Sequence, residues 1–109
     1  MRLATLAELL SGSWSGTWTR VEQTDPGVTL RRGMLTLPTL PPWTARLSIH
    51  DEGNGRFRGT LGKADDEGIV GIWKYESGRL VLCFRGAKRG YPKRFSDEER
   101  QDMITLWQK

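Results

Sequence analysis

The stretch GIVGIWKYESGRLVLCFRGAKRGYPKRF, residues 68–95, decides how this chain is read. Its first half holds two apolar runs joined by Ser77-Gly78. A two-residue turn there sets Glu76 opposite Arg79, Tyr75 opposite Leu80 and Trp73 opposite Leu82. Side chains alternate along a strand. Trp73, Tyr75, Leu80, Leu82 and Phe84 therefore share one face. The other face carries Val70, Ile72, Val81 and Cys83, flanked by Lys74, Glu76, Arg79 and Arg85. Its centre is too apolar for open solvent. A terminal segment, the N-terminal helix or a partner subunit is expected to cover it.

Working outward, WTARLSIH (43–50) is a strand with Trp43, Ala45, Leu47 and Ile49 on one face. DEGNG turns the chain, and RFRGTLG (56–62) returns it with Phe57, Gly59 and Leu61 inward. KADDEG is the next loop. GVTLRRGMLTL (27–37) reads as one strand with a bulge at Gly33. PTLPP (38–42) breaks regular structure, because proline cannot donate to a ladder. Near the start, Trp14, Gly16 and Trp18 alternate with Ser13, Ser15 and Thr17. Before them Thr5 caps a short helix, LAELL, which ends at Ser11-Gly12. The last segment has two readings. Ser96 and Glu99 fit a capping box before a helix striped with Met103, Leu106 and Trp107. The preferred reading is a turn at SDEER and a strand, DMITLWQ, because Ile104-Thr105 are β-branched and a barrel needs a closing partner.

This pattern predicts an all-β fold: a small antiparallel barrel of about seven to eight strands with a short N-terminal helix. Closure removes the strand edges that invite aggregation. The expected core is Trp43, Leu47, Ile49, Phe57, Leu61, Trp73, Leu80 and Leu82. At 109 residues the chain is expected to be a single domain, 1–109. Charged residues make up 28% and apolar residues 37%, a balance that excludes a disordered chain. One cysteine excludes an internal disulfide. MRLATLAELLSGSW lacks the apolar core and cleavage site of a signal peptide, and no segment is long enough to span a bilayer as a helix. A cytoplasmic protein with no membrane attachment is expected. The net charge is +4, and the excess lies in the second half, where Arg85, Lys88, Arg89, Lys93 and Arg94 run without an acid between them.

Three features carry a resemblance. One is the Leu-x-Gly-x-Trp of LSGSW. A second is the proline before a strand in PPWTARLSI. The third is GIW leading through LVLC to YPKRF. In these the chain resembles a small, uncharacterised bacterial lipocalin-like family, abundant in planctomycetes. The match spans most of the chain and is most specific over 71–95. The resemblance implies a calycin-like barrel with a closed or ligand-holding interior. It brings no established activity and no catalytic residues. A second Gly-x-Trp at 16–18 leaves either Trp14 or Trp18 as the family tryptophan. Tyr91 stands where the family commonly has an arginine before the proline. Should that arginine pack on the barrel tryptophan, Lys93, Arg94 or Lys109 would have to take its place.

The candidate sites follow from these placements. Trp14 and Trp18 either plug the barrel or line a ligand cup. Trp43, Phe57, Trp73 and Tyr75 either floor an apolar pocket or fill a barrel too small to be hollow. Cys83 lies beside Arg79 and Arg85, which favour a thiolate, but packing is the better reading of a lone cysteine. His50 is the only histidine, on an outer face without a second metal ligand. The acidic runs 65–67 and 97–99 read as solvated loops. No phosphate-binding glycine loop or nucleophile–histidine arrangement is present. No catalytic residue, metal or cofactor is therefore assigned.

The expected function is a non-enzymatic binding or interaction module, for a small apolar ligand or a protein partner, with a homodimer possible. One alternative is nucleic acid or another polyanion held by Arg85, Lys88, Arg89, Lys93 and Arg94, with Phe84, Tyr91 and Phe95 as stacking aromatics. Another is a small enzyme using loop carboxylates.

Overall fold

Chain reversals at Arg32-Gly33, Asn54-Gly55 and Ser77-Gly78 set the topology. The computed structural model describes residues 5–20, 23–62, 68–95 and 101–108. A short helix, α1 (Leu6–Leu10), precedes β1 (Ser13–Arg20), β2 (Gln23–Arg31), β3 (Met34–Leu37), β4 (Trp43–Gly53) and β5 (Arg56–Leu61). Then come β6 (Ile69–Glu76), β7 (Arg79–Gly86), a single 3-10 turn at Ala87–Arg89, and β8 (Asp102–Gln108). Each strand pairs antiparallel with the next, and β8 pairs back with β1, closing an eight-stranded barrel. The acidic runs 65–67 and 97–99 lie outside the described residues.

The β6–β7 hairpin has the register expected from its turn: Glu76 faces Arg79, Tyr75 faces Leu80 and Trp73 faces Leu82. Residues 27–37, expected as one strand, are the ends of two. Arg32 and Gly33 both take positive φ, 50° and 82°, and form a hairpin turn that pairs Arg31 with Met34. Consecutive left-handed residues reverse the chain, whereas a bulge only bends it. A register shift does occur in β2, where Gly16 pairs with Val28 but Thr17 with Pro26. Gly27 is the extra residue, and the irregularity accommodates a proline inside a strand. The C-terminal segment is the expected strand, with Leu80 opposite Leu106 and Leu82 opposite Ile104.

Inward positions from every strand meet in one core. Trp14, Val28, Leu30, Leu35, Leu47, Phe57, Leu80, Leu82, Ile104 and Leu106 are all buried. Ile49, Leu61 and Trp73, also expected in the core, pack against it while partly buried. Trp43 departs from expectation: it faces inward but is 41% exposed. It opens β4 at the barrel rim.

The helix closes the opposite end. Thr5 caps it by accepting from the Glu8 amide at 3.2 Å. Leu6 and Leu10 enter the barrel core, and the Trp14 indole donates to the Leu9 carbonyl at 2.6 Å. The helix is thus a stopper for one barrel end and not a cover for the outer face of β6 and β7. Among the described residues no helix is long and apolar enough to cross a membrane.

Candidate functional site: an apolar cup at the uncapped end

The end of the barrel away from α1 has no stopper among the described residues. Strand starts and ends converge there, each offering its inward residue. Trp18 comes from β1, Leu37 from β3, Trp43 from β4, Leu61 from β5, Phe84 from β7 and Asp102 from β8. Together with Thr39 of the proline-rich loop they enclose a cup of about 350 Å³. This is within the size range of small-molecule sites, at its lower end.

The two N-terminal tryptophans divide the roles between which the sequence left a choice. Trp14 and Trp18 share a strand face four residues apart. Trp14 is 1% exposed at the stoppered end, with Tyr75 edge-on at 6.1 Å. Trp18 is a wall of the cup. Its indole donates to Asp102 Oδ1 at 3.0 Å. The Arg20 guanidinium lies 4.2 Å from the Trp18 ring centroid and 3.6 Å from Asp25. A cation that does stack on a barrel tryptophan is Arg20; Lys109 lies outside the described residues.

Of the six residues expected to line a pocket, Trp18 and Trp43 are brought together in the cup. Phe57 is fully buried in the core. Trp73 packs against the core, and its buried indole N–H has no hydrogen-bond partner among the described residues. Tyr75 is half exposed beside Trp14. Sequence reasoning missed Asp102. It sits opposite Phe84 and in phase with Ile104 and Leu106, so the alternation of β8 already placed a carboxylate on the inner face.

The basic loop is organised differently. Residues 91–95 fold back on the outer surface. The Tyr91 hydroxyl donates to Glu52, and Arg58 reaches both groups, at 3.2 Å from Glu52 and 3.5 Å from the hydroxyl. Arg56 lies 5.0 Å above the Tyr91 ring. Further on, Lys74 stands 4.7 Å over Phe95. The Arg94 carbonyl accepts from Gln101 at 3.2 Å and from the Cys83 thiol at 3.7 Å. Cys83 is fully buried as a result, and Val81 beside it nearly so. At Cys83 the apolar outer face is thus covered by the chain's own backbone at Arg94, while Ile72 stays half-buried.

Arg85 is bound into the loop. It donates to the Gly90 and Tyr91 carbonyls at 2.7 and 3.0 Å. Lys88, Arg89, Lys93 and Arg94 are exposed. Phe84 is buried and faces the cup. None of the three aromatics is presented beside the cations as an open stacking platform.

His50 is exposed on the outer face of β4, in an open groove of about 410 Å³ shared with Ser48, Arg58, Thr60 and Ala87. Among the described residues no three histidine, cysteine or acidic side chains converge as metal ligands. No protein-family model matches the chain, and neither a curated protein nor a solved structure shows significant similarity to it.

Proposed function

We propose that the protein is a non-enzymatic binding module that holds a small apolar molecule in the cup at the uncapped end of the barrel. One observation carries this reading. The stoppered end is filled by Trp14, Leu6 and Leu10, while the other end leaves Trp18, Leu37, Trp43, Leu61 and Phe84 around an open cavity. An apolar surface kept concave, with one carboxylate on its wall, is the common form of a small-ligand site. The resemblance of LSGSW, PPWTARLSI and the 71–95 stretch to lipocalin-like domains is compatible with this reading, since it implies a barrel with a closed or ligand-holding interior.

The polyanion reading has less support. The aromatic side chains that base stacking requires are engaged by Arg56, Arg58, Lys74 and the barrel core. Titration with the neutral fluorophore N-phenyl-1-naphthylamine tests the proposal. Saturable binding is expected, weakened about tenfold or more by Trp43→Ala, a loss of ~1.4 kcal/mol. It should be unchanged by Lys88→Ala or Arg89→Ala. No saturable binding, or binding that tracks the loop cations, would refute it.

A further inference from the structure

Resting on that binding-module reading, we infer that the cup selects a protonated organic amine with an apolar body. The inference comes from the state of Asp102. Its side chain projects from the inner face of β8 into a cavity otherwise walled by Trp18, Leu37, Thr39, Trp43, Leu61 and Phe84. The side chain is half-buried, with the apolar wall on one side and the open mouth on the other. Oδ1 accepts from the neutral Trp18 indole, and no cation of the described residues forms an ion pair with it.

A described cation that shares Trp18 with Asp102 is engaged elsewhere. Arg20 is held by Asp25 and by the Trp18 ring, so its charge is already balanced. Arg20 and Asp25 pair with each other, which leaves Asp102 without an ion-pair partner among the described residues. A ligand ammonium supplies what Asp102 lacks: a positive charge and N–H donors for the second carboxylate oxygen. Trp43 strengthens the same preference. Its ring is 41% exposed at the rim, and an indole face attracts ammonium groups. The apolar body of the ligand then covers Leu37, Leu61 and Phe84. A carboxylate or phosphate ligand would instead be driven against Asp102. The protein's net charge of +4 does not decide this local choice, because exposed charges beyond about 10 Å are largely screened at ordinary ionic strength.

The test is a matched set of probes: 1-naphthylmethylamine, 1-naphthalenemethanol and 1-naphthoic acid, titrated calorimetrically at pH 7. The amine is expected to bind about tenfold or more tighter than the alcohol, the difference made by one charge-assisted hydrogen bond, with the acid weakest. Asp102→Asn keeps an acceptor for the Trp18 indole and should bring the amine-to-alcohol affinity ratio to about one. Circular dichroism checks that this variant is folded. Should it not fold, Trp43→Leu is the second variant, expected to weaken the amine more than the alcohol. Equal binding of amine and alcohol to the native protein would overturn the inference while leaving the cup as a binding site. A preference that survives Asp102→Asn would also overturn it. If none of the three probes binds, the cup reading fails and this inference fails with it.

Discussion

Trp14 and Trp43 are both inward-facing indoles, yet their surroundings predict opposite responses to truncation. Trp14 is 1% exposed and anchored to the Leu9 carbonyl. Trp14→Ala is expected to cost about 3–5 kcal/mol, as for other large buried aromatics. Trp43 sits at the rim, and Trp43→Ala should change stability by no more than about 1 kcal/mol. Urea denaturation separates the two cases, and equal losses would show that the rim is packed more tightly than its exposure implies. At this scale the sequence was readable in one dimension only. Alternation correctly gave the inward face of Trp14, Trp18, Trp43 and Trp73, but it gave no depth along the barrel axis. That is why Trp43 was expected in the core and stands at the mouth. Asp102 was hidden for another reason: helix and strand both fit this segment, and only the strand sets its phase with Ile104 and Leu106.

Among the elements, the β6–β7 hairpin was legible because two alternating runs flank a single plausible turn. The β2–β3 hairpin was not, because a glycine in an alternating run fits a bulge as well as a turn; only the positive φ of Arg32 beside Gly33 distinguishes them. Both hairpins place an ordinary L-residue in the left-handed region, Ser77 at φ 53° and Arg32 at φ 50°. Asparagine tolerates that conformation best after glycine. Ser77→Asn is therefore expected to stabilise the protein by up to about 1 kcal/mol, read as a higher thermal midpoint. The 91–95 segment is an element without regular structure, tethered through Tyr91 to Glu52, Arg56 and Arg58. Its detachment exposes Cys83. Thiol labelling of the native protein should be slow, and Tyr91→Ala should accelerate it about tenfold, within what a cation–π contact and a hydrogen bond contribute together. Labelling at the same slow rate in both proteins would mean that Cys83 is reached only through global unfolding.

For the molecule as a whole, closure depends on the β1–β8 ladder, whose rungs run from Trp14–Gln108 to Thr19–Met103. Gly16 lies at the middle of this seam, where an added Cβ would come within 1.8 Å of the Thr105 carbonyl oxygen. The two strands approach so closely that the seam admits no side chain at that position. These partners come from opposite ends of the chain, so joining them requires the largest loop-closure entropy of any strand pair here. Barrels dominated by such distant pairings fold in milliseconds to seconds, and the seam is expected to form after the local hairpins. Ile104→Val, costing about 0.5–1.5 kcal/mol, should then act mainly on the unfolding rate, whereas Ser77→Asn should speed folding. A stopped-flow chevron distinguishes the two limbs, and slower folding of Ile104→Val would place the seam in the nucleus instead. Until the seam zips, β1 and β8 each present an unpaired edge to other chains. The yield of renatured protein should therefore fall as the chain concentration during refolding rises, even though the closed barrel offers no edge at all.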